Sequence, residues 1–326
     1  MRSKIIGTGS YLPTKIVTND ELSLTLDTSD EWIVTRTGIR QRHIADPVSE
    51  SCAMMGMMAA KEALAMAGIA ATDLDLIILA TCTADYRLPA AACLIQEMLG
   101  ASSVPAFDIS AACSGSIYGL NIADAFIKSG KYQNILLITS EALSRAVDWQ
   151  DRNTAVLFGD GASAAVICKT QSPSGFIDIN IYADGSQQKN ICIPSGGSLN
   201  PIDEKALAER TDKISMNGRE TYKFAVRAMC DAIEIILKKN NIQNSDITFA
   251  VPHQANLRII DAIAKRMDLP MDRFLINLDR CANTSAASLL LAYDEANRAQ
   301  RFKENDLILM LAIGAGFVWG AGLYRV

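Results

Sequence analysis

Three segments of this chain recur, in the same order, about 170 residues downstream. AGIAATDLDLIILATC, which ends at Cys82, is answered by NNIQNSDITFAVPHQ, so that Asp75 matches Asp246. NILLITS from Asn134 is answered by DLILMLA from Asp306. FDISAACSGS is answered by LINLDRCANTSAAS, which sets Cys113 against Asn283. Similar spacing in constant order predicts two copies of one supersecondary unit. Between the echoes, short apolar runs (76–80, 135–138) alternate with helix-like segments (59–67, 224–237) that stop at Gly68 and Asn240-Asn241. That alternation predicts an α/β chain of two similar halves, 1–172 and 173–326. The 326 residues are ample for two such units and a sizeable core.

Within the first copy, Asp108-Ile109-Ser110-Ala111-Ala112-Cys113-Ser114-Gly115-Ser116 joins an apolar strand-like run (104–109) to a helix-like one from Ile117. A cysteine placed there faces unpaired backbone N–H groups and the positive end of a helix, which favour thiolate over thiol. Its neighbours are small, so a substrate can come close. The same residue also reads as a buried structural cysteine. The duplication puts Asn283 at the equivalent strand-to-helix junction, and His253 follows the strand 247–251 just past Pro252. Ligands of open α/β sheets bind beyond the carboxyl ends of strands, so all three can converge on one pocket. Thiolate, neutral imidazole and carboxamide together suit acyl transfer from a thioester, with the two nitrogen donors facing a developing oxyanion. The loop Ile313-Gly314-Ala315-Gly316-Phe317 can add a backbone N–H, or can simply allow close packing. The other histidine, His43, lies in the basic run Arg40-Gln41-Arg42-His43, which reads as a solvated or ligand-facing surface.

Composition narrows the partners. A net charge of −5 argues against broad nucleic-acid binding. Eight cysteines without a C-x-x-C point to free thiols in a reducing compartment rather than a zinc site or disulfide framework. The N-terminus runs into a strand with no signal-peptide core, and no stretch has transmembrane length; the expectation is a cytoplasmic protein that does not insert in a membrane.

Six motifs in order carry a family resemblance. They are TSDEWIVTRTGIRQRHI at 28–44, DISAACSG at 108–115, DRNTAVLFGDGASAAV at 151–166, PHQANLRI at 252–259, NTSAAS at 283–288 and GAGFVWG at 314–320. Across nearly its whole length the chain resembles the β-ketoacyl-acyl-carrier-protein synthase III family, the initiating condensing enzymes of bacterial fatty-acid synthesis. The resemblance implies the thiolase fold, a five-layer αβαβα sandwich of two similar halves, usually as a homodimer. It implies that Cys113 takes an acyl group from acyl-CoA and that decarboxylating malonyl-acyl carrier protein (ACP) supplies the attacking carbanion. His253 and Asn283 would stabilise the enolate, and the backbone amides of Cys113 and Ala315 the tetrahedral oxyanion. No permanently bound cofactor is implied. For the CoA end, Trp32 would stack on adenine with Arg152 on its other face, while Arg36, Gly218 and Asn256 would line the pantetheine channel or phosphate end. The basic helix face of Arg258, Lys265 and Arg266, with Lys223, would recruit the acidic carrier protein.

The resemblance also discriminates among relatives. One cysteine with one histidine outside the 40–43 run fits Cys-His-Asn better than the Cys-His-His of chain-elongating synthases. Ala315 stands where degradative thiolases carry a second cysteine, and no clear glutamate base is legible near Cys113, as hydroxymethylglutaryl-CoA synthases require. Intact Cys113, His253 and Asn283 argue against a silent scaffold. Leu88 replaces a frequent phenylalanine that closes the acyl pocket of the dimer partner, and Arg87 lies beside it. Ile313, Ala315 and Leu290 also depart from the common pattern, and 170–215 is longer than usual. These departures leave open a specialised relative in secondary metabolism or biotin-precursor synthesis that takes a longer or carboxylated acyl donor.

Overall fold

The fold is built on two sheets with one strand order. In the computed structural model, described over residues 2–326, the first half supplies β1 (Arg2–Tyr11), β2 (Leu76–Ala80), β3 (Ala106–Ile109), β4 (Asn134–Glu141) and β5 (Gly161–Thr170). The second supplies β6 (Gly175–Ala183), β7 (Phe249–Pro252), β8 (Leu307–Gly314) and β9 (Val318–Arg325). The first sheet runs β1-β5-β4-β2-β3, the second β6-β9-β8-β7, and a parallel bridge from Ala250 to Phe274 stands where a fifth strand would be. In both, the first two pairings of the order are antiparallel (β1 with β5 and β5 with β4; β6 with β9 and β9 with β8) and the third is parallel (β4 with β2; β8 with β7), and β2 pairs with β3 in parallel as well. The repeat heard in the sequence is therefore a repeat of topology.

Helices sort into three layers by what they bury. α1 (Asp30–Thr37) lies apart, near the mouth of the site described below. α2 (Cys52–Ala67) and α3 (Ala91–Met98) cover the outer face of the first sheet. α4 (Gly115–Lys128) and α7 (Ser288–Arg298) pack between the sheets, burying Ile117, Leu120, Leu289 and Leu290 against strands of both. α5 (Gly218–Lys239) and α6 (Leu257–Met267) cover the outer face of the second sheet. The result is the thiolase-like αβαβα sandwich. The middle helices touch apolar surface on both sides, and α4 is accordingly apolar over most of its length, while α7 opens on the run Leu289–Leu291 and turns polar toward its end.

Helix starts differ by layer. Ser51 caps α2, Asn217 caps α5 and Asn256 caps α6 with side-chain acceptors. Neither α4 nor α7 has a side-chain cap, and both begin at the same end of the sandwich, beside the carboxyl ends of the parallel strands. Among the described residues no helix is long and apolar enough to cross a membrane.

Candidate active site

Cys113 lies on a single 3-10 turn, Ala112–Ser114, between β3 and α4. The preceding Ala112 has φ of 43°, a left-handed backbone that costs an L-residue of order 1–3 kcal/mol. In the second half Ala282, just before Asn283, has φ of 57°. The two junctions thus share a strained step as well as their place in the topology. The backbone N of Cys113 is approached by Gly314, where an added Cβ would come within 2.6 Å of it. Glycine at 314 is therefore required for close packing, one of the two readings the loop sequence allowed. Ala315 follows without a positive φ, so its methyl does not strain the turn.

His253 follows the end of β7 and is 4% exposed. Its backbone N–H donates to Leu311 O at 2.7 Å, and Nδ1 lies 2.6 Å from Ser288 Oγ. Burial pushes its pKa down to about 3, so the ring is neutral near pH 7. Asn283 is held by its N–H to Leu157 O at 3.0 Å. Its Oδ1 accepts the Ser285 N–H at 2.8 Å, which turns the NH2 end away as a donor.

Cys113, His253, Asn283 and Ala315 all line one cavity of about 1290 Å³. Trp32, Arg36, Gly218 and Asn256 line the same space. That is roomier than the ~300–1,000 Å³ of most small-molecule sites, as a long ligand needs. The Arg36 and Arg152 guanidiniums lie 4.6 and 4.8 Å from the centroid of the Trp32 ring. Arg152 also donates to the Asp27 backbone oxygen at 2.5 Å.

The carrier-protein candidates are exposed but partly neutralised. Lys223 pairs with Glu220 at 2.9 Å, Lys265 with Asp261 at 2.7 Å and Arg266 with Glu234 at 3.2 Å. Arg258 Nε donates to Thr35 O at 3.2 Å, tying α6 to α1. Leu88 is 87% exposed and lies outside the cavity of its own chain.

Three sequence expectations need correction. Cys113 was expected as a thiolate; burial and the nearby Glu141 charge push its pKa up to about 11, although the Ser285 hydroxyl opposes this, so the resting group is the thiol. Arg42 was read as surface. It is wholly buried, donating to Asn19 Oδ1 at 2.8 Å and Val156 O at 3.0 Å, because carbonyl and amide oxygens converge there to replace water. The third is the absent glutamate. Glu141, at the end of β4, is wholly buried, and its Oε1 accepts from the Ser285 hydroxyl at 3.1 Å. Its carboxylate also accepts from Thr83 Oγ1 at 2.7 Å, from Thr81 Oγ1 at 3.3 Å and from the Cys82 N–H and thiol, each at 3.2 Å. Both oxygens are occupied, and neither accepts from Cys113. Burial holds its carboxyl above the usual carboxylate range.

Glu141, Ser285, Ser288 and Cys82 are the site residues that sequence reasoning passed over. The two serines stood inside the quoted NTSAAS motif, two and five residues past Asn283. Nothing local marked Cys82 or Glu141.

Two family profiles match: 3-oxoacyl-[acyl-carrier-protein] synthase III over residues 107–185, and the C-terminal region of the same synthase over 237–326. The β-ketoacyl-[acyl-carrier-protein] synthase III of Caldanaerobacter subterraneus subsp. tengcongensis is 47% identical over 321 residues, 98% of this chain and 97% of its own. The synthase III of Aquifex aeolicus is 47% identical over 325 residues, the whole of both chains. The crystal structure of the Aquifex aeolicus VF5 protein superposes with a TM-score of 0.92, covering 99% of this chain and 100% of that one. With its two matched sheets, its shared cavity and this identity over full length, the chain belongs to the β-ketoacyl-[acyl-carrier-protein] synthase III family of condensing acyltransferases.

Proposed function

We propose that this enzyme carries out the decarboxylative Claisen condensation of an acyl-CoA primer with malonyl-ACP, initiating fatty-acid synthesis through an acyl-Cys113 intermediate. The observation that carries this reading is the meeting of Cys113, His253 and Asn283 in a cavity that also reaches Trp32 and Arg36. In the first half-reaction the Cys113 sulfur attacks the thioester carbonyl. The backbone N–H groups of Cys113 and Ala315 receive the oxyanion, and CoA leaves as the thiol, carrying the proton that Cys113 gives up. In the second, malonyl-ACP loses carbon dioxide and its enolate carbon attacks acyl-Cys113. The product is β-ketoacyl-ACP, and the expelled thiolate is reprotonated.

The enolate needs hydrogen-bond donors without a full charge. Asn283 offers its NH2 end, and His253 offers Nε2–H once the Ser288 hydroxyl, which donates to Ser285 O at 3.0 Å, turns to donate to Nδ1. Ser288 Oγ lies 3.0 Å from Ser285 O as well, so its one proton sets the tautomer of His253. Ser288 is therefore a positioning residue in this reading.

Trp32 and Arg152 are the pair assigned to adenine, with Arg36, Gly218 and Asn256 along the channel. In the free protein Arg152 lies too near the Trp32 ring for a base to enter between them, so nucleotide binding requires Arg152 to swing aside. Arg258, Lys223, Lys265 and Arg266 form the carrier-protein face, where the acidic partners Glu220, Asp261 and Glu234 would be exchanged for those of the carrier. A leucine left 87% exposed at position 88 supports a homodimer in which it enters the partner's acyl pocket. Acyl-CoA and malonyl-ACP as substrates support a cytoplasmic enzyme.

The test is intact-protein mass after incubation with acyl-CoAs from acetyl to octanoyl, branched and dicarboxylic members included, followed by malonyl-ACP. Acyl gain on wild type but not on Cys113→Ala, and transfer to a β-ketoacyl-ACP, are expected. Absence of any acyl gain would sink the reading.

A further inference from the structure

The condensation leaves two thiols of its own cavity unused, Cys82 and Cys192. Cys82 follows β2, opens onto the cavity and is not in a disulfide. Its Sγ donates to Glu141 Oε1 at 3.2 Å. β2 and β3 pair in parallel with Ala80 opposite Ile109, which carries Cys82 and Cys113, just past the two strand ends, to the one cavity that Ser285 also lines. Ser285 in turn donates to Glu141 Oε1 at 3.1 Å. A relay of contacts therefore runs from thiol to carboxyl to hydroxyl, Cys82 to Glu141 to Ser285, beside Cys113. A third cavity thiol, Cys192, sits on the short ribbon formed by 191–192 and 215–216 and has no place in it.

We propose that Cys82 is a resolving thiol for Cys113, so that peroxide converts the pair to a reversible Cys82–Cys113 disulfide that shuts the enzyme off. The chemistry balances among these four groups. Hydrogen peroxide transfers one oxygen to the Cys113 sulfur, giving the sulfenic acid and one water. The Cys82 sulfur then attacks that sulfur while its proton passes to Glu141. The departing hydroxide takes a proton back through Ser285 and leaves as a second water. Two thiols have lost two electrons, and one peroxide has become two waters. Dithiol reductant reverses the step. Without a neighbour, the sulfenic acid of a cavity cysteine would go on to the sulfinic and sulfonic acids, which are lost to catalysis. The neighbouring thiol turns an irreversible injury into a recoverable one.

Burial slows the first step, since it holds the Cys113 thiol above its ordinary range. The second step is helped by the base already in contact with Cys82.

The inference rests on Cys113 being the acyl-accepting thiol, and one experiment scores the two separately. Wild type, Cys82→Ser and Cys82→Ala are treated with hydrogen peroxide. Each is then digested without reduction for peptide mapping and assayed for acyl gain from acetyl-CoA before and after dithiothreitol. Expected for wild type is a linked pair of peptides containing Cys82 and Cys113, with acyl uptake lost and restored by the reductant. Expected for both variants is sulfinic or sulfonic Cys113, with uptake not restored. The serine variant retains a hydroxyl toward Glu141, and the alanine variant removes it, so agreement between them excludes a rearranged carboxyl as the cause. Wild type that over-oxidises at the variants' rate, or that links Cys113 to Cys192, overturns the proposal. Failure of untreated wild type to take up acetyl would instead overturn the functional reading, whatever the peptides show.

Discussion

The turns that carry Cys113 and Asn283 share a backbone step and are employed differently, although the first follows a strand and the second a short helix, Leu278–Cys281. At each, an alanine with positive φ (Ala112, Ala282) throws the next residue toward the cavity, and a helix of the middle layer follows. At the first junction that residue is Cys113, its backbone pressed against Gly314 and its sulfur facing the cavity. At the second it is Asn283, locked by Leu157 O behind and the Ser285 N–H beside it. A nucleophile must be free to move onto its target. A donor must already point where charge will develop. One backbone device serves both, and the surrounding hydrogen bonds decide which.

That contrast can be broken hardest at its first term. Cys113→Ala should abolish acyl gain by mass and lower kcat by about a thousandfold or more. Asn283→Ala should leave the acyl gain intact but cost about 10²–10³ in condensation with malonyl-ACP, the usual loss for one oxyanion donor. Equal loss of both half-reactions would show that the junctions are not specialised. Ser288→Ala, which frees Nδ1 of His253, should lower kcat by roughly tenfold with KM little changed, a second-contact effect that threonine at 288 should partly rescue.

A pH profile sharpens the same contrast. With Cys113 near 11, the acylation rate should climb roughly tenfold per pH unit between about pH 6 and pH 10, following the thiolate fraction. His253, held near 3, should add no acid limb above about pH 5, because it is neutral throughout that window. A plateau beginning near neutrality would mean that Cys113 is a thiolate at rest after all. The smallest effect is structural. Ala112→Gly and Ala282→Gly should each shift stability by no more than ~1 kcal/mol in thermal melts, since relief of positive φ is offset by lost chain entropy. Unequal shifts would show that the two turns are not strained alike.

Much of this was legible in the residues. Cys113, His253 and Asn283 each stand at the end of a strand-like run, and the echo of Asp75 in Asp246 anticipated the matched sheets. What stayed hidden depends on sheet order. Cys82 and Glu141 are far apart in sequence and meet because β2 and β4 are neighbours in the sheet. Arg42 misled because a guanidinium in a basic run gives no hint of the backbone oxygens that will surround it. The thiolate expectation counted the helix terminus and left out desolvation, which a local motif cannot report.

The middle layer has a consequence for how such a protein can be divided. Helices α4 and α7 come from different halves, yet each buries apolar surface against both sheets. A chain cut between the copies would expose on either piece the face that its twin had covered. Neither half is therefore a unit that can stand alone: each is the other's missing wall.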